Sequence, residues 1–161
     1  MCAQTRRKQE LIYDPGDPEI VDEQGSYLDR LWEFNHLKPS QQREKQAYMK
    51  ETFAQCGENC YIELPFYANW GGKNIHFGDE VYANFNLTIV DDGEVYVGDR
   101  VMFGPNVTVG KNSVIGAGSV VTKDIPADVV AVGNPCRVLR SIGEHDKEFF
   151  YKEEKIDWEN L

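Results

Sequence analysis

The sequence predicts a mainly β protein: a parallel solenoid of six-residue repeats, three to four coils long, with an N-terminal helical cap and a short C-terminal extension. Three observations carry this. Val97-Gly98, Phe103-Gly104, Val109-Gly110, Ile115-Gly116 and Val121-Thr122 recur every six residues without a slip. A second row, Val95, Val101, Val107, Ser113 and Ser119, runs two residues ahead. From about Ile75 the helical period vanishes, and Val, Ile, Thr, Asn and Gly dominate.

The N-terminal region, residues 1–57, reads as helical. Asp17-Pro18 is an N-cap followed by a proline at the first helical position, where its missing N–H costs nothing. Behind it Leu28, Leu31, Trp32 and Asn35 fall on one face and predict a packed helix. Lys38-Pro39 ends that helix. Ser40 is the expected cap of a second helix, on which Met49 and Phe53 sit four apart, and Gly57 is its expected stop. None of these residues needs a catalytic explanation.

The solenoid is expected over residues 58–140. Upstream of the regular rows, Phe77-Gly78, Ala83-Asn84 and Ile89-Val90 keep the six-residue spacing, joined to them by a two-residue extension near Asp91-Asp92-Gly93. Each short strand turns an aliphatic residue inward and ends in a turn with Gly or Asn, which tolerate unusual backbone angles. Three strands make one coil of a triangular prism. At ~4.8 Å per coil the stack is ~15–20 Å tall. That is short for a fold whose stability sums over neighbouring repeats. Both ends need covering, because their strand edges would otherwise be open. The helices are expected to cover one end. The extension, residues 141–161, with Phe149, Phe150, Tyr151 and Trp158, is expected to cover the other.

A length of 161 residues fits one domain with flanking elements, and a modest core makes oligomerisation a natural supplement. The net charge of −10 repels phosphate backbones, so nucleic acid is not the expected partner. No apolar run approaches ~18 residues, so no membrane span is expected. The basic start, Met1 to Lys8, is not followed by the apolar stretch of a signal peptide. Cys2, Cys56, Cys60 and Cys136 are scattered. Cys56-x3-Cys60 has no second pair at zinc-like spacing, so no metal site is expected, and the cysteines read as reduced thiols of a cytoplasmic protein. Gly116-Ala117-Gly118 lacks the rest of a dinucleotide fingerprint, and no Gly-x-Ser-x-Gly element occurs.

Several longer segments resemble the galactoside/maltose O-acetyltransferase group of the hexapeptide-repeat acyltransferases. They are Trp32-Glu33-Phe34-Asn35-His36, Asn74-Ile75-His76-Phe77-Gly78, Tyr82 through Asp92, Ser113 through Pro126, and Gly133-Asn134-Pro135-Cys136-Arg137-Val138. The resemblance runs from about residue 11 to residue 155. It implies a left-handed parallel β-helix, a homotrimer with sites between subunits, and acetyl transfer from acetyl-CoA to a sugar hydroxyl. Residue by residue, it implies that Asp14, Asn69, Asn84 and Asp92 contact the acceptor. It implies that Ala117, Thr122, Lys123 and Arg137 hold coenzyme A, the two cations suiting its phosphates.

That chemistry needs a general base for the hydroxyl proton, and a histidine suits it near neutral pH. In the family the base lies in a segment reading roughly Thr-x-x-His-Pro, after the strand matching Gly104 to Val109. Here Val109 runs straight into Gly110-Lys111-Asn112-Ser113. The resemblance therefore implies that about 40 residues, the base among them, are absent, with the junction in hexad register. No catalytic residue is assigned. His36 matches a structural helix motif, His76 a strand position not used as the base, and His145 the tail. The alternative to an enzyme is an inactive trimeric sugar- or CoA-binding scaffold.

Overall fold

The computed structural model describes residues 14–143 and 145–150, together with Thr5 and the pair 154–155. Helix α1 spans Pro18–Asn35 and opens as expected, with the Asp17 carboxylate accepting the Glu19 N–H at 3.0 Å. Its buried side chains are Ile20, Leu31 and Phe34. Leu28 and Trp32, expected on the packed face, are 40% and 62% exposed. The reason is a tertiary anchor. The Asn35 amide both accepts from and donates to the Phe66 backbone, at 2.9 and 2.7 Å, and so sets the rotation of the last turn. Trp32 stacks instead on the His36 ring.

Helix α2 spans Gln42–Thr52. Ser40 does not cap it. Gln41 stands at the cap, with its side chain turned back to accept the Lys38 N–H at 2.9 Å. Nor does α2 reach Gly57. Phe53 turns extended to enter the core, and the Gly57 N–H donates to the Phe77 carbonyl within the solenoid ladder.

The solenoid strands are β1 Gln55–Cys56, β2 Tyr61–Ile62, β3 Phe66–Ala68, β4 Ile75–Phe77, β5 Tyr82–Ala83, β6 Leu87–Ile89, β7 Val95–Val97, β8 Met102–Phe103, β9 Thr108–Val109, β10 Val114–Ile115, β11 Val120–Val121 and β12 Val129–Val132. They form three parallel sheets, the faces of a prism: β1-β4-β7-β10-β12, β2-β5-β8-β11, and β3-β6-β9, the last extended by a bridge from Val109 to Ile125. The first coil therefore lies well before Ile75. Its hexads are hidden by wide corners: successive turns take 21, 20, 18 and 16 residues along the partners Gln55, His76, Tyr96, Val114 and Val130. Only the 18-residue turn is three unbroken hexads.

Both expected inward rows are buried. Val97, Phe103, Val109, Ile115 and Val121 are at most 4% exposed, as are Val95, Val101 and Val107. Ser113 and Ser119 continue the second row inside and are satisfied. The Ser113 hydroxyl donates to the Pro126 carbonyl, and that of Ser119 donates to the Gly116 carbonyl. Asn86 and Asn106 take left-handed angles at one corner and join through their amides at 3.1 Å, as the turn reading expects.

At the C-terminal end, strand β13, Arg137–Ser141, folds back antiparallel on β12 with an irregularity between Val130 and Ala131. A single helical turn, α3 (His145–Glu148), follows, and β14 (Phe149–Phe150) pairs with β15 (Glu154–Lys155). The expected aromatic cover falls outside what is described: Tyr151 and Trp158 lie beyond the described residues, as do the side chains of Phe149 and Phe150. Cys56, Cys60 and Cys136 are free thiols. Among the described residues no helix is long and apolar enough to cross a membrane.

Candidate active site

Each coil turns three corners. Corner A follows the first sheet's strand, corner B the second's and corner C the third's. Asn69 and Asp92 meet at corner C, from adjacent coils. The Asn69 Nδ2 donates to Asp92 Oδ2 at 3.1 Å, and the Trp70 indole Nε1 donates to Asp92 Oδ1 at 3.1 Å. Both carboxylate oxygens are thus oriented from one side. The side chain is partly exposed.

The loop that carries Asn69 and Trp70 is the wide part of the first coil. It is held from four directions. The Gln24 amide of α1 donates to the Asn69 carbonyl at 3.0 Å, and the Tyr48 hydroxyl of α2 donates to the Gly71 carbonyl at 2.7 Å. Lys73 pairs with Glu23, its ammonium 4.9 Å from the Tyr27 ring centre. Beneath the loop, fully buried Asp91 accepts the Trp70 and Gly72 N–H groups at 2.7 and 2.9 Å. Burial pushes the Asp91 carboxyl up to about 6, against the opposing pull of those two bonds. Gly72 has a φ of +99°, and a Cβ there would sit 2.3 Å from the Phe53 ring, so only glycine fits.

Asn84 stands at corner B, at the opposite end of β6 from Asp92, with its Oδ1 accepting the Phe85 N–H. Thr122 occupies the same corner two coils on, because Ala83, Phe103 and Val121 are in register. Lys123 follows it, exposed. Ala117 lies at corner A, against Gly98. Arg137 opens β13, exposed, with its guanidinium on the Cys136 carbonyl at 2.7 Å. Asp14 sits in the turn before α1 and accepts the Gly16 N–H at 2.8 Å. One chain therefore brings together Asn69 with Asp92, stacks Thr122 two coils from Asn84, and spreads the two groups over different corners.

The histidines do not assemble there. The His36 ring meets the Trp32 carbonyl at 2.7 Å. His76 points out of β4 onto Glu94 Oε2 at 2.7 Å and stacks on Tyr96. His145 begins α3. Sequence reasoning missed the roles of Asp91 and Trp70. They are 21 residues apart, the same step that separates β3 from β6, so the coil period was the signal that could have paired them.

At the junction, Gly110 donates to the Ile125 carbonyl at 2.9 Å and continues the third face without a break. A Cβ on Gly110 would lie 2.3 Å from the Ala127 nitrogen, so the closure relies on its absence.

The chain is thus a prism of hexapeptide coils capped by two helices, with polar side chains gathered at its corners. Residues 8–57 match the maltose acetyltransferase hexapeptide capping motif, and residues 93–123 match the bacterial transferase hexapeptide family of six repeats. The galactoside O-acetyltransferase of Lactococcus lactis subsp. lactis (strain IL1403) is 42% identical over 190 residues, covering 92% of each chain. That of Escherichia coli (strain K12) is 41% identical, covering 79% of this chain and 83% of the relative. A solved galactoside acetyltransferase in complex with coenzyme A superposes with a TM-score of 0.59 at 36% identity, over 98% of this chain and 99% of the other. A maltose O-acetyltransferase from Clostridium difficile 630 superposes with a TM-score of 0.52 at 27% identity, over 89% of this chain and 99% of the other. The chain belongs to the galactoside/maltose O-acetyltransferase family, and its solenoid is the left-handed parallel β-helix of that family. The 190-residue match to the Lactococcus enzyme takes in 92% of these 161 residues, which leaves about 40 aligned positions with no residue here. That is the length the sequence analysis expects to be absent.

Proposed function

We propose that this chain is a sugar O-acetyltransferase by descent that keeps acceptor-binding and coenzyme-binding residues but lacks the proton acceptor. The observation that carries this is the shortfall of about 40 positions, together with His36 held on the Trp32 carbonyl and His76 on Glu94. Galactoside and maltose O-acetyltransferases among its relatives support a sugar acceptor, and a relative bound to coenzyme A supports acetyl-CoA as co-substrate. Asp14, Asn69, Asn84 and Asp92 are the acceptor residues in this reading, and Ala117, Thr122, Lys123 and Arg137 the coenzyme residues. The chain works in the cytoplasm, where acetyl-CoA is supplied. A thioester-cleavage assay with galactosides and maltose is the direct test; release of coenzyme A at family-like rates overturns it. A binding scaffold is the second reading, favoured by the intact Asn69–Asp92 pair.

The working form is a homotrimer. Corners B and C of one chain stand apart, at opposite ends of β6, and a three-fold arrangement sets corner B of one copy against corner C of the next. Phe85, beside Asn84 at corner B, is 50% exposed in the single chain and becomes part of that contact. Phe85→Asp is expected to lower the sedimenting mass from three chains to one. An unchanged trimer places the interface elsewhere.

Coenzyme A is expected to bind, with Lys123→Ala and Arg137→Ala each weakening it about fivefold, the equivalent of roughly 1 kcal/mol per contact. Titration calorimetry reads both. Low-micromolar affinity insensitive to either change removes the coenzyme from Lys123 and Arg137.

A further inference from the structure

We infer that Asp91 is a positioning residue for the acceptor site: its buried carboxylate sets the loop from which Asn69 and Trp70 orient Asp92. The inference rests on the acceptor reading of Asp92 above. The two adjacent carboxylates divide the work. Asp91 points inward, 0% exposed, and gives one oxygen to the Trp70 N–H and the other to the Gly72 N–H. Its own carbonyl accepts the Asn74 amide at 2.7 Å, so both flanks of the loop close on one residue. Asp92 points outward and receives the two side chains that this loop presents.

A carboxylate is required at residue 91 because two backbone donors converge there. An asparagine offers one acceptor oxygen and turns an N–H₂ toward the other donor, leaving a buried N–H unsatisfied. The loop cannot relax elsewhere. Gly71 lies against the Tyr27 backbone and Gly72 against the Phe53 ring. A shift at Trp70 therefore passes directly to its indole N–H, and from there to the rotamer of Asp92. Trp70 itself is 1% exposed, so its part is to hold Asp92 rather than to stack on a sugar.

The test follows the Trp70 indole N–H resonance, assigned with Trp70→Phe, in the full chain. Asp91→Asn is expected to move that resonance and to weaken binding of methyl β-galactoside or maltose at least tenfold, while coenzyme A affinity at the other corner is unchanged. Trp70→Phe keeps the backbone N–H that Asp91 accepts and removes the indole donor to Asp92. It should weaken the sugar to a similar degree, and it carries the test if Asp91→Asn does not fold. An unmoved indole resonance in folded Asp91→Asn overturns the proposal, as does full sugar affinity in Trp70→Phe. If the unmodified chain binds neither sugar at millimolar concentration, the acceptor reading fails, and Asp91 is then judged on the indole resonance alone.

Discussion

Insertion of a relative's Thr-x-x-His-Pro loop with its following coils, between Val109 and Gly110, is expected to raise acetyl transfer to galactosides or maltose by roughly 10²–10⁴-fold over the unmodified chain. That factor is what a positioned general base typically contributes. Without one, the sugar hydroxyl attacks the thioester with its proton still attached. Asp92 is held by Asn69 and Trp70 in a geometry suited to orienting hydroxyls. The graft is structurally permitted because each coil bonds only to its neighbours, and β9 and β10 belong to different faces whose ladders resume on either side. The same graft with its histidine changed to alanine is the control. Equal rates for the unmodified and grafted chains sink the missing-base argument. The proton acceptor must then be found among His76, Asp92 and His145, and the His76–Glu94 pair is the first to remove.

The second large effect is on stability. Phe77→Ala is expected to cost about 3–5 kcal/mol, read as a fall in the denaturant midpoint. Phe77 is fully buried. It meets Phe53 edge-on with ring centres 5.3 Å apart and stacks with Phe103 at 6.4 Å, so it joins the helical cap to two coils of the prism. In a stack this short, the loss is at least a fifth of a typical ~5–15 kcal/mol total. A cost below ~1 kcal/mol means the cap is held by other contacts.

The hexad rows were legible because one strict spacing places every inward residue, from Val95 to Val121, and nothing in that stretch competes with it. The hexads of the first coil were not, although residues 58–74 were assigned to the solenoid, because the loop from Asn69 to Asn74 stretches its turn to 21 residues and breaks the six-residue beat. The helix faces were half legible. Leu31 packs as its spacing predicts, but Trp32 is turned outward by an anchor, Asn35 to Phe66, that joins residues 31 apart. At the candidate site, the residue types Asn69 and Asp92 stood out through the family resemblance. Their mutual bond and the buried Asp91 beneath them depend on which corners stack, and that is set by turn lengths. The split of the site over two corners is likewise a property of three-dimensional order, invisible in a linear pattern.

The reversal of β13 on β12 has a consequence for growth. A parallel stack has no natural length, since each coil is a template for another and the last strand offers a complete row of donors and acceptors to any extended segment. Here the final parallel strand, Val129–Val132, is met by its own chain running the other way, out of step by a bulge. On this face an incoming strand would need a parallel, evenly stepped edge and finds neither. The molecule is thereby kept a counted object instead of the seed of a filament.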